Sequence, residues 1–588
     1  MVMSARVKCV FRLFKNQLSR FFSLVIIVVV SIGFMSGIGE VETKIDVGMD
    51  EYYREKNVSD LYLKSSSPTG FSADDLSWIE ETFGAENVLK GFSYEYQENE
   101  EVVRVYSYDL STDVNRLTLL EGRLPQERGE IVVERETEEL RSFSVGDTVA
   151  VMGQEYEVCG IVVNPLLLNR VEEPSFQYED ECLRYVYYLD AVVPMTNDVY
   201  VAMQDRDIFQ GFSDEYEEET ERLIALVEQE VSDVAVLSLY ENFGLYSLSS
   251  YAGKVGMIAL IFVVFFLLIT LLVVYSTMTR LFDEERAQLA CMKTLGYTPL
   301  QIVGRYVLFV FLASLIGGGL SFFVGHALTE IIYNAFHLQY EMPPMPSVHN
   351  YLFFAGSFAI ILMSTVLLTL LSGLKAAGEK PATLLLPKLA KSGKKVFLEK
   401  IPFLWNRLSF RYKSTVRNVF LFKGRFFMTV ISVIGSTVLV FAGMGLMNCA
   451  AEIDGGSSLL TISLALLVFS AALCALVVYN LTNINVGERK REIATLMVLG
   501  YDNREVSGYI YREIYIMGAI GALLGVALGY FFMDLVFYLI DFGAVSDIKW
   551  WTYLVTPIVT LFFCFLATLL LRGKIVNTDM NASLKSIE

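Results

Sequence analysis

The residues best suited to recognition chemistry lie in two similar charged passages. One is DEERAQLACMKTLGY, from residue 283, and the other is GERKREIATLMVLGY, from residue 487. Each lies between two long apolar runs and places charges beside an amphipathic stripe, which is typical of a helix that binds a partner or a lipid surface. A constant offset of 204 residues relates matching positions: Glu284, Leu295 and Gly296 match Glu488, Leu499 and Gly500.

Motifs for catalysis are missing from the sequence. It contains no G-x-x-x-x-G-K-[ST] phosphate loop, no H-E-x-x-H and no G-x-S-x-G. We therefore do not expect an enzyme, nor ATP hydrolysis by this chain through a phosphate loop. The three histidines, His326, His337 and His349, lack the spacing of metal ligands, so no metal site is predicted.

The seven cysteines follow no metal or disulfide spacing. Two of them, Cys159 and Cys182, lie in a strongly acidic block at residues 40–254. A disulfide between them is a candidate if that block lies outside the cell. The alternative is a pair of unbonded core thiols.

The composition predicts a membrane protein with one acidic domain. Hydrophobic residues make up 54% of the chain and its mean hydropathy is +0.45, which is too apolar for a soluble globular protein. Outside the acidic block the chain is net basic. Two such charge environments predict two sides of a membrane.

Eight apolar runs reach the roughly 20 residues that a bilayer requires. Lys and Arg are concentrated in the N-terminal segment and in residues 374–425. Because these residues favour the cytoplasmic side, both termini are predicted to be cytoplasmic and the acidic block external. The runs are Phe21–Ile38, Met257–Thr279, Ile302–Ile332, Tyr351–Leu371, Phe426–Met447, Leu459–Leu481, Arg512–Ile540 and Trp551–Leu571.

An internal repeat relates the two halves of the chain. RVKCVFRLFKNQLSRFFSLVI, from Arg6, resembles RYKSTVRNVFLFKGRFFMTVI, from Arg411, at an offset of 405 residues. We reject a signal peptide at the N-terminus because the same pattern recurs in mid-chain. The offsets of 405 and 204 differ by about the length of the acidic block. This predicts two parallel four-span units, with the external domain inserted in the first.

Each charged passage predicts a short cytoplasmic helix, a break and a new helix. Gly296 and Gly500 are placed as C-terminal caps. Acidic Glu284, Glu285 and Glu488 favour docking of a partner; the alternative, a helix lying on anionic lipid, should be basic. The apolar stripes consist of Leu289, Met292 and Leu295 in the first passage and of Ile493, Leu496 and Leu499 in the second.

Small residues recur every four positions in the apolar runs that follow these passages. This spacing lets helix backbones approach closely. We therefore prefer a helix contact between the two halves to the alternative of a pore lining. The residues are Gly317, Ser321, Gly325, Gly521, Gly525 and Gly529.

The acidic block predicts an α+β domain with its own core. GEIVVERE, GDTVAVMGQEYEVCGIVVNP and YVYYLDAVVPM have the patterns of strands, and Met152-Gly153 is a predicted turn. A helix that buries Leu223, Ile224, Val227 and Val231 should follow. The predicted fold class is an α-helical membrane protein with eight transmembrane helices in two four-helix repeats, and one α+β extracytoplasmic domain inserted between helices 1 and 2.

The predicted domains follow from these boundaries. They are the N-terminal segment with transmembrane helix 1 (1–39), the external domain with its stalks (40–254), transmembrane helices 2–4 (255–373), a basic cytoplasmic linker (374–425), transmembrane helices 5–8 (426–572) and a cytoplasmic tail (573–588). The expected location is the plasma membrane of a bacterium.

Several of these segments together resemble the FtsX/MacB-type permeases of ABC transporters. They are the E-R-x-x-E-I-A-x-L-x-x-L-G-Y passage from Glu488 to Tyr501, its weaker copy from Glu284 to Tyr297, and the glycine-laddered spans after each. The segment LLEGRLPQERGEIVVE is similar to the core periplasmic-type domain of that family. This chain departs from the simplest members because it fuses two units and keeps one external domain, which suits an asymmetric external partner.

The resemblance implies a separate cytoplasmic ABC-type ATPase, expected as a homodimer, that carries ATP and Mg while this chain binds no cofactor. Family members transmit ATPase motion to the external domain, a mode called mechanotransmission. The resemblance assigns coupling to the ATPase to Glu284, Glu285, Leu289, Met292, Leu295, Gly296, Glu488, Arg489, Glu492, Ile493, Leu496, Leu499 and Gly500.

The sequence is compatible with three functions. The preferred one is ATP-driven export or extraction of a lipid, lipoprotein or peptide. The second is regulatory activation of an extracytoplasmic partner protein such as a cell-wall hydrolase, and the third is a receptor or scaffold unrelated to ABC transporters. Membrane lipids are expected contacts and nucleic acid is not.

Overall fold

The computed structural model of the chain describes residues 5–179, 181–190, 195–204, 206–208, 213–385, 403, 410–421, 423–452, 457–541 and 543–576. Much of the predicted basic linker and the end of the predicted tail lie outside these residues. The chain divides into two compact units. The helical unit comprises Met1–Gly39, Gly256–Thr329 and Asn350–Glu588, and the inserted domain comprises Glu40–Val255 and Glu330–His349.

Eight of the described helices are long and apolar enough to cross a membrane, which confirms the eight predicted spans. Spans 2, 3 and 7 have 42, 41 and 38 residues, about twice the roughly 20 that a bilayer requires. The spans are, in chain order, Leu18–Gly39, Phe243–Glu284, Pro299–Gln339, Tyr351–Gly378, Lys423–Ala450, Ser457–Glu488, Asn503–Ile540 and Trp550–Val576. Further helices are Ala5–Asn16, Val41–Lys56, Arg286–Thr294, Pro381–Leu385, Phe410–Leu421 and Lys490–Val498.

The ladder of small residues in span 3 packs against span 1. A β-carbon added at Gly317 would lie 2.8 Å from Val28 Cγ1, and one at Gly325 would overlap Ser36 Oγ. Ser321, between them, is fully buried. Any larger residue at the two glycines would push these helices apart.

The second ladder repeats this contact between spans 7 and 5. β-Carbons at Gly521, Gly525 and Gly529 would lie within 3 Å of Val433, Thr437 and Phe441 respectively. Each ladder therefore packs inside its own half of the helical unit. The prediction that the ladders join the two halves is wrong, because both face the first helix of their own group of four.

Spans 2 and 6 form two of the polar contacts between the halves. Asn480 Nδ2 donates to Thr277 Oγ1 at 2.8 Å, and Arg280 Nη1 donates to Asn485 Oδ1 at 2.9 Å. All four side chains are buried. Such bonds between helices satisfy polar groups that would be costly to leave unpaired in an apolar layer.

A single mixed sheet forms the centre of the inserted domain. Among the described residues it has ten strands, β1 to β10 in chain order: Leu61–Ser65, Val88–Glu98, Glu101–Tyr108, Thr118–Gly122, Glu130–Glu134, Thr148–Val151, Gln154–Val163, Leu183–Asp190, Asp198–Val201 and Val234–Ser238. Their order in the sheet is β10-β1-β9-β2-β3-β8-β5-β7-β4, and β6 pairs with β7. The pairs β3–β8 and β5–β7 are parallel.

Two helices, Ala73–Phe83 and Asp214–Glu230, contribute to one apolar core of this domain together with β1, β9 and β10. The second of them is the predicted helix, and it buries Leu223 and Val227. The predicted turn joins β6 to β7 with positive φ at both Met152 (50°) and Gly153 (79°), the backbone of a tight hairpin turn. The domain is thus α+β.

The segment that connects spans 3 and 4 also belongs to the inserted domain. Arg170 Nε donates to Glu341 Oε2 at 3.0 Å, and Lys44 Nζ donates to the carbonyl oxygen of Pro346 at 2.8 Å. Arg135 makes a further ion pair with Glu341. These bonds hold residues 330–349 against the helix Val41–Lys56 and against loops that are distant in sequence.

The candidate disulfide is not formed. Cys159 and Cys182 are both free thiols, and Cys159 Sγ donates to the carbonyl oxygen of Ile131 at 3.2 Å. Cys159 lies in β7 and Cys182 directly precedes β8, with β5 between these strands. Two strand spacings amount to about 10 Å, beyond the Cα separation that a disulfide spans.

Candidate functional site

The two charged passages form short helices of equal length, Arg286–Thr294 and Lys490–Val498, which we call the first and second short helix. Both end in the same cap. Gly296 and Gly500 have φ of 86° and 92°, and the following tyrosine N–H donates back to a carbonyl five residues earlier, from Tyr297 to Met292 and from Tyr501 to Leu496. The glycines thus serve as the C-terminal caps that the sequence predicted, in a Schellman motif.

Span 3 restarts immediately after the first cap through a capping box. Thr298 N–H donates to Gln301 Oε1 at 3.2 Å, and Gln301 N–H donates to Thr298 Oγ1 at 3.4 Å. The first short helix and span 3 are therefore separated by only four residues, 295–298. The capping box defines where span 3 begins.

The residue before the first short helix is tied to span 3. Glu285 Oε2 accepts a hydrogen bond from Tyr306 Oη at 2.6 Å and lies 3.4 Å from Arg305 Nη2. Arg305 also donates to Tyr306 Oη at 2.6 Å. Arg305 and Tyr306 are buried. A closed triad of this kind holds the start of the short helix against span 3, since leaving any member unpaired would be costly.

The residue before the second short helix is tied to span 7 in the same way. Arg489 and Glu513 form an ion pair with Nη2–Oε contacts of 2.6–2.7 Å. Their side chains are only 2% and 5% exposed. Removing one partner of a buried pair leaves an uncompensated charge, so this pair fixes the helix strongly.

A further ion pair joins span 1 to the end of span 2, beside the first short helix. Arg20 Nη1 and Nη2 donate to the two oxygens of Glu284 at 2.8 and 2.5 Å. The two-point contact defines the orientation of both side chains. Glu284 therefore faces the bundle, whereas the sequence had placed it on a docking surface.

The first short helix is also attached to the end of span 4. Lys293 Nζ donates to the carbonyl oxygens of Ala377 and Glu379, both at 2.7 Å. Arg286 Nη2 donates to Glu379 Oε2 at 2.9 Å and to the carbonyl oxygen of Thr383 at 3.0 Å. A cation at the carboxyl end of a helix hydrogen-bonds to its last carbonyl oxygens and interacts favourably with the helix dipole. The short helix and span 4 are thereby connected.

The predicted apolar stripes divide into a buried base and an exposed tip. Leu289 and Ile493 are each 1% exposed and pack in the helical unit. In contrast, Leu295 and Leu499, next to the caps, are 76% and 69% exposed, and Tyr501 is half exposed. Met292 and Leu496 are half-buried. Each short helix thus presents an apolar tip on a fixed base.

Two predicted site residues, Glu488 and Glu492, have side chains outside the described part of the structure. The sequence missed other members of the site: Arg20, Arg305, Tyr306, Glu513 and Lys293. Charges at the ends of the long apolar runs were the available signal, because a charged residue there needs a partner. The partners themselves lie 20–264 positions away.

The fold and this site define a multi-pass α-helical membrane protein with an inserted β-rich domain. Residues 260–381 and 464–580 match the family of the FtsX-like permease C-terminal domain, and these ranges contain both short helices. This match is consistent with a permease of the FtsX/MacB type. The family comprises membrane subunits of ABC transporters, which work with a cytoplasmic ABC ATPase and are generally not catalytic themselves. No curated protein matches the chain.

Proposed function

We propose that this chain is the permease subunit of an ABC transporter that couples ATP hydrolysis by a separate ATPase dimer to movement of the inserted domain. In this proposal the short helices are cytoplasmic and the inserted domain is extracytoplasmic. The main support for this proposal is the structure of the two short helices. Each has a base fixed to the following span and an exposed apolar tip at Leu295 or Leu499.

The tip and the base have different roles in a coupling helix. An exposed apolar residue beside a cap gains free energy when a partner covers it. A base fixed by buried charges cannot rotate independently, so a displacement of the tip must move span 3 or span 7. Force applied by an ATPase would therefore reach the helical unit through two short levers.

Two equivalent tips suit a partner with two equivalent docking sites. The contacts of the small-residue ladders obey the same offsets as the sequence repeat, since Gly317 meets Val28 and Gly521 meets Val433. These contacts support a duplicated four-span unit in one chain. A homodimeric ATPase would then engage one short helix with each subunit.

Span 2 supports transmission over a long distance. It is one helix of 42 residues, Phe243–Glu284, or about 63 Å at 1.5 Å per residue. Its end at Glu284 is bonded to Arg20 of span 1. A push at this end would therefore act on two spans together, as mechanotransmission requires. The cargo that fits this mode is a lipid, lipoprotein or peptide handled at the outer face.

ATPase stimulation by the reconstituted permease tests the proposal. In Leu295→Asp and Leu499→Asp the apolar tips become charged while the bases stay intact, so we expect stimulation to fall at least about tenfold in the double variant. Leu120→Asp, at an exposed leucine of the inserted domain, is the matched control and should retain stimulation. Unchanged stimulation in the double variant would contradict the docking role.

A further inference from the structure

An aromatic cavity of about 110 Å³ lies within the inserted domain. Its lining includes Tyr62, Tyr106, Tyr200, Phe176, Arg104 and Glu173. Tyr62 and Tyr200 are stacked with ring centroids 4.9 Å apart. An apolar cavity of about 150 Å³ holds a benzene molecule, so this space takes a group of only a few heavy atoms.

One carboxylate of the cavity is incompletely paired. Glu173 is only 4% exposed, and Asn169 N–H donates to its Oε1 at 3.2 Å. No described residue donates a hydrogen bond to Oε2. A buried carboxyl group in this situation is either protonated or paired with a cation, because an unpaired buried charge is costly.

Arg104, the cation in the wall, is already engaged elsewhere. It forms an ion pair with Glu95 at 2.5 Å, and it donates to Tyr106 Oη at 3.3 Å and to the carbonyl oxygen of Pro174 at 3.1 Å. Its Cζ lies 4.1 Å from the ring centroid of Phe176. Arg104 therefore supports the aromatic wall. An anionic ligand would lie beside the carboxyl group of Glu173, and Arg104 has few donors left to bind it.

We propose that this cavity binds a methylated ammonium group, with Glu173 as the counter-charge and Tyr62, Tyr106, Tyr200 and Phe176 as the surrounding aromatic wall. Aromatic faces attract quaternary ammonium ions, which have no N–H groups to satisfy. A primary ammonium would need three hydrogen-bond acceptors, whereas a quaternary ammonium needs none and can contact the aromatic rings that line part of the cavity. The source of the group is either a free small cation or a lipid headgroup.

The position of the cavity connects its occupancy with span 2. Phe243, the first residue of span 2, and Asn242 before it also line the cavity. Asn242 Oδ1 accepts a hydrogen bond from Leu245 N–H at 3.1 Å, and its Nδ2 donates to the carbonyl oxygen of Leu166 at 3.0 Å. A bound cation would thus contact the capped start of a span helix.

The affinity of the cavity for a methylated ammonium ion should rise with pH. Burial raises the pKa of Glu173 to about 8, opposed by the positive charges of Arg104 and Arg135 and assisted by Glu134. A bound cation favours the ionised carboxylate and must displace its proton at lower pH. Binding at pH 9 should therefore be tighter than at pH 6.

Calorimetric titration of the full chain in maltoside micelles with choline chloride tests this proposal without any ATPase. Binding is expected, and Glu173→Gln should weaken it at least about tenfold. Glu172→Gln, the adjacent exposed carboxylate, is the matched control and should bind normally. Phe176→Leu, at a side chain that is 71% exposed, should also weaken binding.

Further titrations distinguish a free cation from a lipid headgroup as the source of the bound group, and they test whether the positive charge and the methyl groups are needed. Stabilisation by phosphatidylcholine nanodiscs but not by free choline, lost in Glu173→Gln, would support the lipid headgroup as the source. Equal binding of the neutral analogue 3,3-dimethylbutan-1-ol, or tighter binding of methylammonium than of choline, would overturn the proposal. The proposal would also be overturned if the chain bound neither free choline nor the choline headgroup of phosphatidylcholine.

Discussion

Glu285 and Arg489 occupy equivalent positions, one residue before each short helix, yet they carry opposite charges. Each is paired with a side chain of opposite charge on the span that follows, Arg305 in the first half and Glu513 in the second. The shared feature is therefore the pair and not its polarity. We therefore infer that a bond between the short helix and the following span matters more at this position than which partner carries which charge.

The two short helices differ in their attachment to the last span of their half. Lys293 of the first helix donates to carbonyl oxygens at the end of span 4. The equivalent position of the second helix is Met497, which cannot donate such bonds. The first short helix is thus connected to two spans by described bonds, so the proposed coupling need not be equal in the two halves.

Breaking the buried pair of the second half should have the largest effect. Arg489→Met leaves Glu513 buried without its partner, and we expect a loss of about 3–5 kcal/mol in the free energy of unfolding. Thermal unfolding of the purified chain measures this loss. The swapped double variant Arg489→Glu/Glu513→Arg copies the polarity of the first half and should recover most of it. If the swap is as unstable as Arg489→Met, polarity matters and the comparison is incorrect.

Removing the attachment of the first helix should have an intermediate effect. Lys293→Met makes this position like the second helix and deletes the bonds to Ala377 and Glu379, at a cost of about 1–2 kcal/mol. Hydrogen exchange of residues 286–294 should become faster while residues 490–498 stay unchanged. Lys293→Arg keeps a cationic donor and is the control. Equal exchange in Lys293→Met and the unmodified chain would show that the attachment does not restrain the helix.

Substitution of either cap glycine should lower the free energy of unfolding by a small amount that is equal at the two sites. Gly296→Ala and Gly500→Ala place a β-carbon at positive φ, which costs about 1 kcal/mol at each site. Gly304→Ala, in span 3 with open space around it, should not lower the unfolding temperature because alanine favours a helix. A clearly larger loss at one cap than at the other would show that the two turns are not equivalent.

Local sequence signals predicted the spans, the caps at Gly296 and Gly500 and the hairpin at Met152, because periodicity and backbone freedom depend on neighbouring residues. The same signals did not identify the partner of Glu284, since Arg20 lies 264 positions away. They also assigned the ladders to the wrong contact. Small residues show that a helix approaches closely, but not which helix.

The sheet of the inserted domain illustrates the same limit. Three strand segments were visible as alternating runs, whereas the order of ten strands depends on pairs such as β1–β10, which are about 170 residues apart. Residues 330–349 join this domain through Glu341 and Pro346. Their few charges gave no indication of that contact in the sequence.

Site-specific photo-crosslinking tests the central claim most directly. A benzophenone side chain placed at position 295 or 499 of the full-length permease should crosslink to the ATPase from both positions, with yields that change between nucleotide-free and ATP-bound states. The same group at Leu120 should not crosslink. If neither tip reaches the ATPase while the complex still hydrolyses ATP, the short helices are not its docking levers.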